Sequence, residues 1–370
     1  MITWRNGTVV SLGATWTGSR ELAVETTEGT VRALAYPGLV GEPMVGERVL
    51  LNVSALARGL GTGGYALVVA RPDATVPDPP AGPGHLVKAR YTPLQTLVLG
   101  VDEQESPHHE RLRDADDLAD LPVVVADLHS ALPAVIAGAR WAAAASGRAA
   151  PRVIYLMTDG GALPAWFSRT VAGLRDAGWL AACITAGQAF GGDLEAVTVH
   201  TGLLAARLVC DADLVVVVQG PGNLGTGTRW GFSGVAAGEV VNAVSVLNGR
   251  PIAALRVSGA DPRARHLGLS HHSLTAFGRV ALAPADVVVA VGEVGDPDRR
   301  ALRAAVHRRA AELCEPVGRH RLVEVEAGPG LEESLAASPV PLSSMGRDLS
   351  ADPEAFIASA VAGAHAAALR

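Results

Sequence analysis

The chain of 370 residues is poor in charged and sulfur-bearing side chains, and each shortage excludes a class of protein. Lys88 is its sole lysine and the formal net charge is −6, so no basic excess exists to neutralise nucleic acid, which is not an expected partner. The three cysteines are far apart and form no Cys-x-x-Cys pair, so we expect reduced and mostly buried thiols. Apolar runs are shorter than the roughly 20 residues of a membrane helix, and the N-terminus lacks the features of a signal peptide. We therefore expect no membrane span and a cytoplasmic location.

The first 76 residues have the pattern of a small antiparallel β-barrel. Short apolar strands are predicted at residues 2–12, 21–26, 30–35, 47–53 and 65–70, with glycine turns between them and no helical period. This spacing favours an SH3-like or OB-like barrel of about five strands. Such a barrel serves either as a packing or assembly module or as a site for peptides or oligonucleotides. Residues 77–84, rich in proline and glycine, are predicted to be a stiff linker.

Residues 85–327 alternate between short apolar strands and segments of helical period, which predicts an α/β domain. Because the strands are rich in valine, isoleucine and leucine with little alternation, both of their faces should be covered by helices. Strands are predicted at residues 94–99, 122–126, 153–157, 180–184, 214–218, 252–257 and 287–291, and an edge strand at 322–325. Helices are predicted at residues 132–145, 165–177, 194–208, 235–247, 269–277 and 298–313. This alternation favours a mostly parallel, doubly wound, Rossmann-like sheet, with an eight-stranded barrel as the alternative. Residues 328–370 are predicted as a C-terminal loop and helix.

Polar side chains follow several predicted strands, where the loops of a parallel sheet meet and bind ligands. Asp127 and His129 follow the strand at 122–126, Asp159 follows the strand at 153–157, and Asp261 follows the strand at 252–257. Turns contain such residues for structural reasons as well. As catalytic candidates, acting as acid/base groups or metal ligands, we take Asp127, His129, Asp159, Asp261 and His271.

A glycine-rich loop after the strand at 214–218 is the strongest candidate for binding an anion. Residues 220–225 formally satisfy G-x-G-x-x-G, but the glycines that follow come too soon for a helix to begin within the motif. We therefore interpret the loop as backbone N–H groups and hydroxyls that surround a phosphate or carboxylate, or else as a flexible lid. The predicted ligand-binding residues of this glycine loop are Gly220, Gly222, Asn223, Gly225, Thr226, Gly227 and Thr228, with no side chain tolerated at Gly225 or Gly227. Arg256 and Arg265 are expected to neutralise the anion.

Three histidines, His266, His271 and His272, fall within seven positions after the strand at 252–257. Ser270 is a suitable cap for a helix that begins at His271, which would place both adjacent histidines in its first turn. Adjacent helical residues point about 100° apart, so we expect at most one of the pair to share a ligand with His266. Together with His129 these residues are candidate ligands of a divalent metal, while acid/base use without a metal and simple structural hydrogen bonding stay open.

Five sequence blocks together resemble an uncharacterised bacterial family that is defined only as a domain of unknown function. The blocks are residues 90–95, 127–130 (DLHS), 157–161 (MTDGG), 225–234 (GTGTRWGFSG) and 270–273 (SHHS), and the likeness spans nearly the whole chain. The resemblance implies that these blocks belong together, but it implies no activity, substrate or cofactor.

The sequence favours an enzyme that acts on a small phosphorylated or carboxylated substrate at the strand ends. The alternative is a sensor or assembly protein without catalytic activity, in which the same pocket binds a metabolite. Whether the chain forms a homo-oligomer is left open. If the strand-end loops converge on one concave pocket, with carboxylates and imidazoles within hydrogen-bond reach of each other, the enzyme interpretation is favoured. If those side chains point to separate places, it fails.

Overall fold

The N-terminal part of the chain is a closed barrel of five strands. The computed structural model describes residues 1–61, 63–76, 78, 80–315 and 318–370. The barrel consists of β1 (Trp4–Trp16), β2 (Ser19–Thr26), β3 (Gly29–Ala35), α1 (Pro37–Val40), β4 (Arg48–Asn52) and β5 (Ala66–Ala70). Its strand order is β1-β2-β3-β5-β4, the five-stranded Greek-key arrangement of an OB-like barrel. The prediction of purely antiparallel pairing is wrong at one place, because β3 and β5 pair in parallel.

A short hairpin follows the barrel, and it corrects one predicted strand. It pairs β6 (Leu86–Lys88) with β7 (Thr96–Val98), and α2 (His109–Leu112) comes next. Residues 94–99 therefore do not form the first strand of the large sheet. Leu97 is exposed, so this segment lacks the two covered faces that a central parallel strand needs. The linker prediction falls partly on positions 77 and 79, which lie outside the described residues.

The second part of the chain is built on an eight-stranded sheet in which every ladder is parallel. The order is β11-β10-β9-β12-β8-β13-β16-β17. These strands are β8 (Pro122–Val125), β9 (Val153–Thr158), β10 (Ala182–Thr185), β11 (Leu194–Glu195), β12 (Leu214–Gln219), β13 (Arg250–Ala254), β16 (Asp286–Val291) and β17 (Arg321–Glu326). Two small hairpins, β14 (Val257–Ser258) with β15 (Gly268–Leu269) and β18 (Ser343–Ser344) with β19 (Arg347–Asp348), lie outside the sheet. The sheet is open, so the alternative of an eight-stranded barrel is wrong.

Helices cover both faces of the sheet. Along β12, Val215 and Val217 contribute to one apolar core, whereas Val216 and Val218 contribute to the other. The first core is covered chiefly by α5 (Val199–Leu208), α6 (Ala236–Val246), α7 (His271–Thr275) and α8 (Pro297–Cys314). The second is covered by α3 (Ala131–Ala145), α4 (Arg169–Asp176), α9 (Leu331–Ala336) and α10 (Pro353–Ala368). The α/β fold with both faces buried is therefore confirmed.

One predicted helix begins later than its apolar pattern indicates. Residues 194–208 were expected to be helical throughout, but the first two form β11 beside β10. The helix begins at Val199 because the Thr198 side chain accepts a hydrogen bond from the N–H of Thr201 and caps it. As a result, Glu195 lies on the sheet edge, where its carboxylate accepts a hydrogen bond from Thr185.

The direction in which successive strands are added to the sheet reverses between β8 and β12, although all strands stay parallel. From β8 the chain crosses to β9 on one side, and from β12 it crosses to β13 on the other. Ligands of open parallel sheets bind in the crevice outside the carboxyl ends of strands at such a reversal. Asp127 and Gln219 stand at those two strand ends. The topology therefore selects this edge as the place to look for a site.

The barrel is docked on the sheet through one aromatic contact region. Trp166, between β9 and α4, packs against Tyr36 of the barrel and Phe190 of the sheet, at ring-centroid distances of 6.2 and 5.5 Å. Its backbone carbonyl accepts hydrogen bonds from Trp16 and Ser19. The barrel nevertheless has an apolar core of its own around Val9, Val24 and Leu51 and is not continuous with the two sheet cores. Among the described residues, no helix has the length and apolar character to cross a membrane.

Candidate functional site

A buried charged network lies at the carboxyl ends of β8 and β13. Asp127 follows β8 and is 3% exposed, and its Oδ2 lies 3.2 Å from His272 Nδ1. Arg256 follows β13, and its Nη1 lies 3.0 Å from the same Nδ1 and 3.6 Å from the carboxylate. Burial raises the pKa of Asp127, but the hydrogen bond from His272 and the Arg256 charge outweigh it, so the net shift is downward. Asp127 is therefore an ionised carboxylate that orients an imidazole.

The segment from Ser258 to Ser270 places His266 next to the start of α7. The strands β14 and β15 pair at its base, and Asp261 at its turn accepts hydrogen bonds from Arg263 and Arg347. Ser270 caps α7 as the sequence predicts, since its Oγ accepts from the N–H of His272. The same Oγ lies 2.8 Å from His266 Nδ1. One serine thus fixes both the helix start and the ring of His266.

His266, His271 and His272 form a compact histidine cluster. One nitrogen from each lies within 4.8 Å of the nitrogens of the other two. Both members of the adjacent pair approach His266, although the 100° spacing led us to expect that at most one would share a ligand with it. Side chains in a first helical turn lean toward the N-terminus, and His266 lies just beyond that end, so both rings reach it. Phe232 stacks on His272 with a centroid distance of 3.7 Å and an interplanar angle of 7°, which closes one side of the cluster.

Two members of the cluster, His266 and His271, are neutral at physiological pH. Burial, followed by the Arg256 charge, lowers the pKa of His266 to about 3. Burial, followed by the charges of His272 and Arg265, also lowers the pKa of His271. The Nε2 atom of His271 is buried and has no hydrogen-bond partner among the described residues. Neutral imidazoles with a free nitrogen can act as bases or as metal ligands.

His129 is not brought to the cluster. Its Nε2 lies 2.7 Å from Ser168 Oγ, and its Nδ1 lies 3.1 Å from the hydroxyl of Tyr155. Both partners are buried beside the second apolar core. Burial lowers the pKa of His129 to about 4. With both ring nitrogens engaged, this histidine supports the packing of β8, β9 and α4 and does not complete the predicted metal set.

The other two candidate carboxylates form their hydrogen bonds with groups other than the imidazoles. Asp159 is exposed, and its Oδ2 accepts from the N–H of Gln188, so it joins the loops after β9 and β10. Asp261 is buried, and the hydrogen bond from Arg263, with the Arg347 charge, lowers its pKa against the opposing effect of burial. An ionised carboxylate neutralised by two guanidinium groups is a structural anchor and not an acid/base group.

The glycine loop folds back on itself as an exposed hairpin. The N–H of Thr226 donates to Gly231 O at 2.7 Å, and the two threonine hydroxyls lie 3.2 Å apart. At its base, Asn223 Oδ1 accepts from Gln219, Ser233 and Gly234. Gly220 and Gly222 flank Pro221 in this base, and Gly222 and Gly227 have positive φ values of 94° and 80°. Gly225 does not, and a Cβ there would find its nearest neighbour 3.9 Å away, so the protein itself leaves room at Gly225, and the exclusion of a side chain by a bound anion stays a prediction.

The two predicted anion-binding arginines have different surroundings. The Arg256 side chain is 9% exposed and already faces Asp127, so its charge is balanced at least in part within the protein. Arg265 is exposed, and a Cβ on Gly227 would come within 3.7 Å of its guanidinium. The tip of the glycine loop therefore lies over Arg265 at the rim of the histidine cluster. Of the two, Arg265 is the side chain that an anion can reach.

Sequence reasoning missed two residues that shape the site. Phe232 stacks on His272, and its presence in the GTGTRWGFSG block was a signal that could have suggested a role. Arg347 reaches Asp261 and Asp352 from the C-terminal segment, and no spacing or motif pointed to it. A small cavity beside the cluster is lined by Asp127, Arg256, Ser258, Asp261 and Arg347.

A family model described as a protein of unknown function (DUF3866) matches residues 32–363. The chain belongs to this family. The match begins within β3 and ends within α10, so the DUF3866 region contains β4, β5 and the end of β3 from the barrel, and the whole parallel sheet. The resemblance seen in the sequence blocks is thereby confirmed at the level of the family. A search of curated proteins finds no match.

The DUF3866 chain has a second concavity, between the barrel and the loops after β9 and β12. Its volume is about 670 Å³, and its walls are mainly apolar. Tyr36, Leu39 and Leu67 line it from the barrel, and Leu163, Phe167 and Pro221 line it from the sheet. Pro221 and Gly222 belong to the base of the glycine loop, so the cavity and the hairpin share a wall. Sequence reasoning gave no sign of this cavity, because its walls come from distant segments.

Proposed function

We propose that this protein is an enzyme that acts on a small anionic molecule, phosphorylated or carboxylated, at the histidine cluster. The observation that carries the proposal is the convergence of the strand ends of β8, β12 and β13 on one place. There, a buried carboxylate orients an imidazole, two further neutral imidazoles stand beside it, and an exposed arginine lies at the rim. Sites that combine oriented titratable groups with an accessible charge favour catalysis over packing.

Each group has a role in this proposal. Arg265 attracts the anion, and Gly227 lets the backbone of the hairpin approach it closely. The histidine cluster moves protons to or from the substrate or a water molecule that attacks it, either directly or through a bound metal. Asp127 holds His272 in one orientation, and Arg256 balances the buried carboxylate. We place the reaction in the cytoplasm, since the three cysteines are free and buried, as suits a reducing compartment.

A thermal-shift screen of sugar phosphates, nucleotides and organic acids tests the proposal. We expect anionic hits with the parent protein and weaker binding in Arg265→Ala, by about 1.5–3 kcal/mol for a charge-assisted hydrogen bond. Gly227→Val should also weaken binding, because its positive φ and its nearness to Arg265 disfavour a side chain. Arg58→Ala, at an exposed position on the barrel, is the matched control. Hits that are only neutral or cationic, or that persist unchanged in Arg265→Ala, would overturn the proposal.

The apolar cavity favours a second candidate function, a metabolite sensor. A volume of about 670 Å³ lies within the range of small-molecule sites, which often form at domain boundaries. In this case, the ligand would bind between the barrel and the sheet, and the barrel would transmit binding to a partner or to a second copy of the chain. Hits in the same screen that are apolar and insensitive to Arg265→Ala would favour the sensor over the enzyme.

A further inference from the structure

The three members of the histidine cluster meet at a point that suits a metal ion. We propose that His266, His271 and His272 bind one divalent transition metal of the zinc type through their Nε2 atoms. The inference deepens the proposed function, because the metal would lie in the same site and would supply a Lewis acid there. Three imidazoles that leave further positions open are a typical donor set of catalytic zinc.

The spacing of the nitrogens is close to what coordination requires. One ring nitrogen of each histidine, either Nδ1 or Nε2, lies within 4.8 Å of a ring nitrogen of the other two. Zinc–nitrogen bonds of about 2.0–2.1 Å in tetrahedral geometry bring nitrogens to about 3.4 Å from each other. The nitrogens would therefore have to approach one another by at most about 1.4 Å to close the site.

Two of the rings are oriented by a hydrogen-bond partner at Nδ1, as in established metal sites. His266 Nδ1 faces the hydroxyl of Ser270, and His272 Nδ1 faces the carboxylate of Asp127. Outer partners of this kind keep the proton on Nδ1, so that Nε2 is free to ligate. For His272 the approach of Arg256 to the same Nδ1 competes with donation to Asp127. A metal on Nε2 would settle this competition in favour of Asp127.

The third ring supplies an independent observation. His271 Nε2 is buried without a hydrogen-bond partner among the described residues, although buried polar atoms are nearly always satisfied. Its ring centroid lies 4.9 Å from that of His266 and 4.5 Å from that of His272. A metal between the three rings would satisfy this nitrogen. Acid/base use of His271 leaves the same atom unpaired until substrate arrives.

The charges around the cluster indicate what completes the coordination. Arg256 and Arg265 are positive, and Asp127 is the carboxylate in contact with the cluster. A divalent ion here adds to an excess of positive charge, so the remaining ligand is expected to be an anion. Hydroxide, a carboxylate or a phosphate meets that requirement, which connects the metal to the anionic substrate class proposed above.

Metal binding by untagged protein tests the inference without an assay of activity. Chelator-treated protein is titrated with Zn²⁺ and with Co²⁺, and the bound metal is followed by elemental analysis and by the visible absorption of cobalt. We expect stoichiometric binding by the parent and a loss of affinity of at least about 100-fold in His271→Ala, which deletes a ligand but breaks no hydrogen bond in the structure. Asp127→Asn should lower affinity by about 10–100-fold as a positioning variant.

His307→Ala is the matched control, since His307 pairs with Glu324 on the surface of α8, far along the chain from the cluster. Circular dichroism and melting temperature show whether each variant is folded. Sub-stoichiometric metal in the parent after supplementation, or equal affinity in folded His271→Ala, would overturn the metal site. If the parent binds no metal but still binds phosphates or carboxylates through Arg265, the proposed function survives alone. If it binds metal but no anion, the proposed function fails and the metal site stands.

Discussion

At the scale of single residues, the structure separates groups that bear on chemistry from groups that only support the fold. Lys88 is buried and His129 is half-buried, and both are fully engaged. Lys88 Nζ donates to the carbonyls of Ala189 and Ala196, each at 2.9 Å, and Glu195 lies 3.6 Å away. Neither side chain has a free polar atom to offer a ligand. His271 differs, since its buried Nε2 has no such partner.

His129 gives the protein a predictable sensitivity to acid. Burial lowers its pKa from 6.5 to about 4, so the unfolded state takes up a proton at a pH where the folded state does not. The contribution of this histidine is fully present above about pH 6.5 and is lost as the pH falls toward 4. Between pH 7.5 and pH 5 the loss should be about 2 kcal/mol in the free energy of unfolding.

Urea denaturation at the two pH values, on the parent and on His129→Gln, measures this loss. The parent should lose more stability than the variant, while buried histidines elsewhere affect both proteins equally. His85→Gln, at an exposed position, should behave like the parent. Equal acid sensitivity in the parent and His129→Gln would refute the assignment of the effect to His129.

At the scale of elements, two helices pack with their backbones in direct contact. Gly138 of α3 faces the carbonyl of Ala360 in α10, and Gly363 of α10 faces the carbonyl of Val135 in α3. A Cβ at either glycine would overlap the opposite carbonyl oxygen. The alanine-rich sequences of both helices allow this approach along their length. The C-terminal helix is thereby fixed over β8 and β13, the strands that end at Asp127 and Arg256.

Gly363→Ala should destabilise the protein by about 1–3 kcal/mol, because the added methyl group forces the two helices apart. Gly295→Ala is the control, since a Cβ there has no neighbour within 4 Å and the position lies outside a helix. Thermal and urea unfolding of the three proteins measures the difference. If Gly363→Ala is as stable as Gly295→Ala, the close contact of α3 with α10 is not as described.

At the scale of the whole molecule, we predict that the barrel and the α/β domain are separate folding units held together by the Trp166 contact. The segment from 72 to 86 is mostly exposed at its described positions, so limited proteolysis should cut there. The two fragments should stay associated, since Trp166 packs against both parts. In Trp166→Ala, the cut fragments should separate on size-exclusion chromatography.

Trp179→Ala, in the loop before β10, serves as a control for loss of a tryptophan away from the barrel contact. It should leave the cut fragments together. Cleavage confined to other regions, or fragments of Trp166→Ala that remain associated, would contradict this division of the chain.

The sequence alone determined the class of fold, because local patterns carry that information. Uninterrupted valine runs at 123–125 and 215–218 required two covered faces, and the short strands and glycine turns of the first 76 residues favoured a small barrel. Ser270 likewise determined where α7 begins. The blocks around Asp127 and His271 also led to the family. These features depend on neighbours in sequence, so they could be predicted without knowing the tertiary structure.

Only the tertiary structure decided which of the candidate site residues are in contact with one another. Asp127 and His272 are 145 positions apart, and their contact follows from the placement of β8 beside β13. The same placement pairs Arg256 with Asp127 and leaves Arg265 exposed, although the two arginines look equivalent in the sequence. His129 is two residues from Asp127, yet it turns to the other face of the sheet, toward Tyr155 and Ser168. Strand order and the face that each side chain takes are long-range properties, and the spacing of residues along the chain does not encode them.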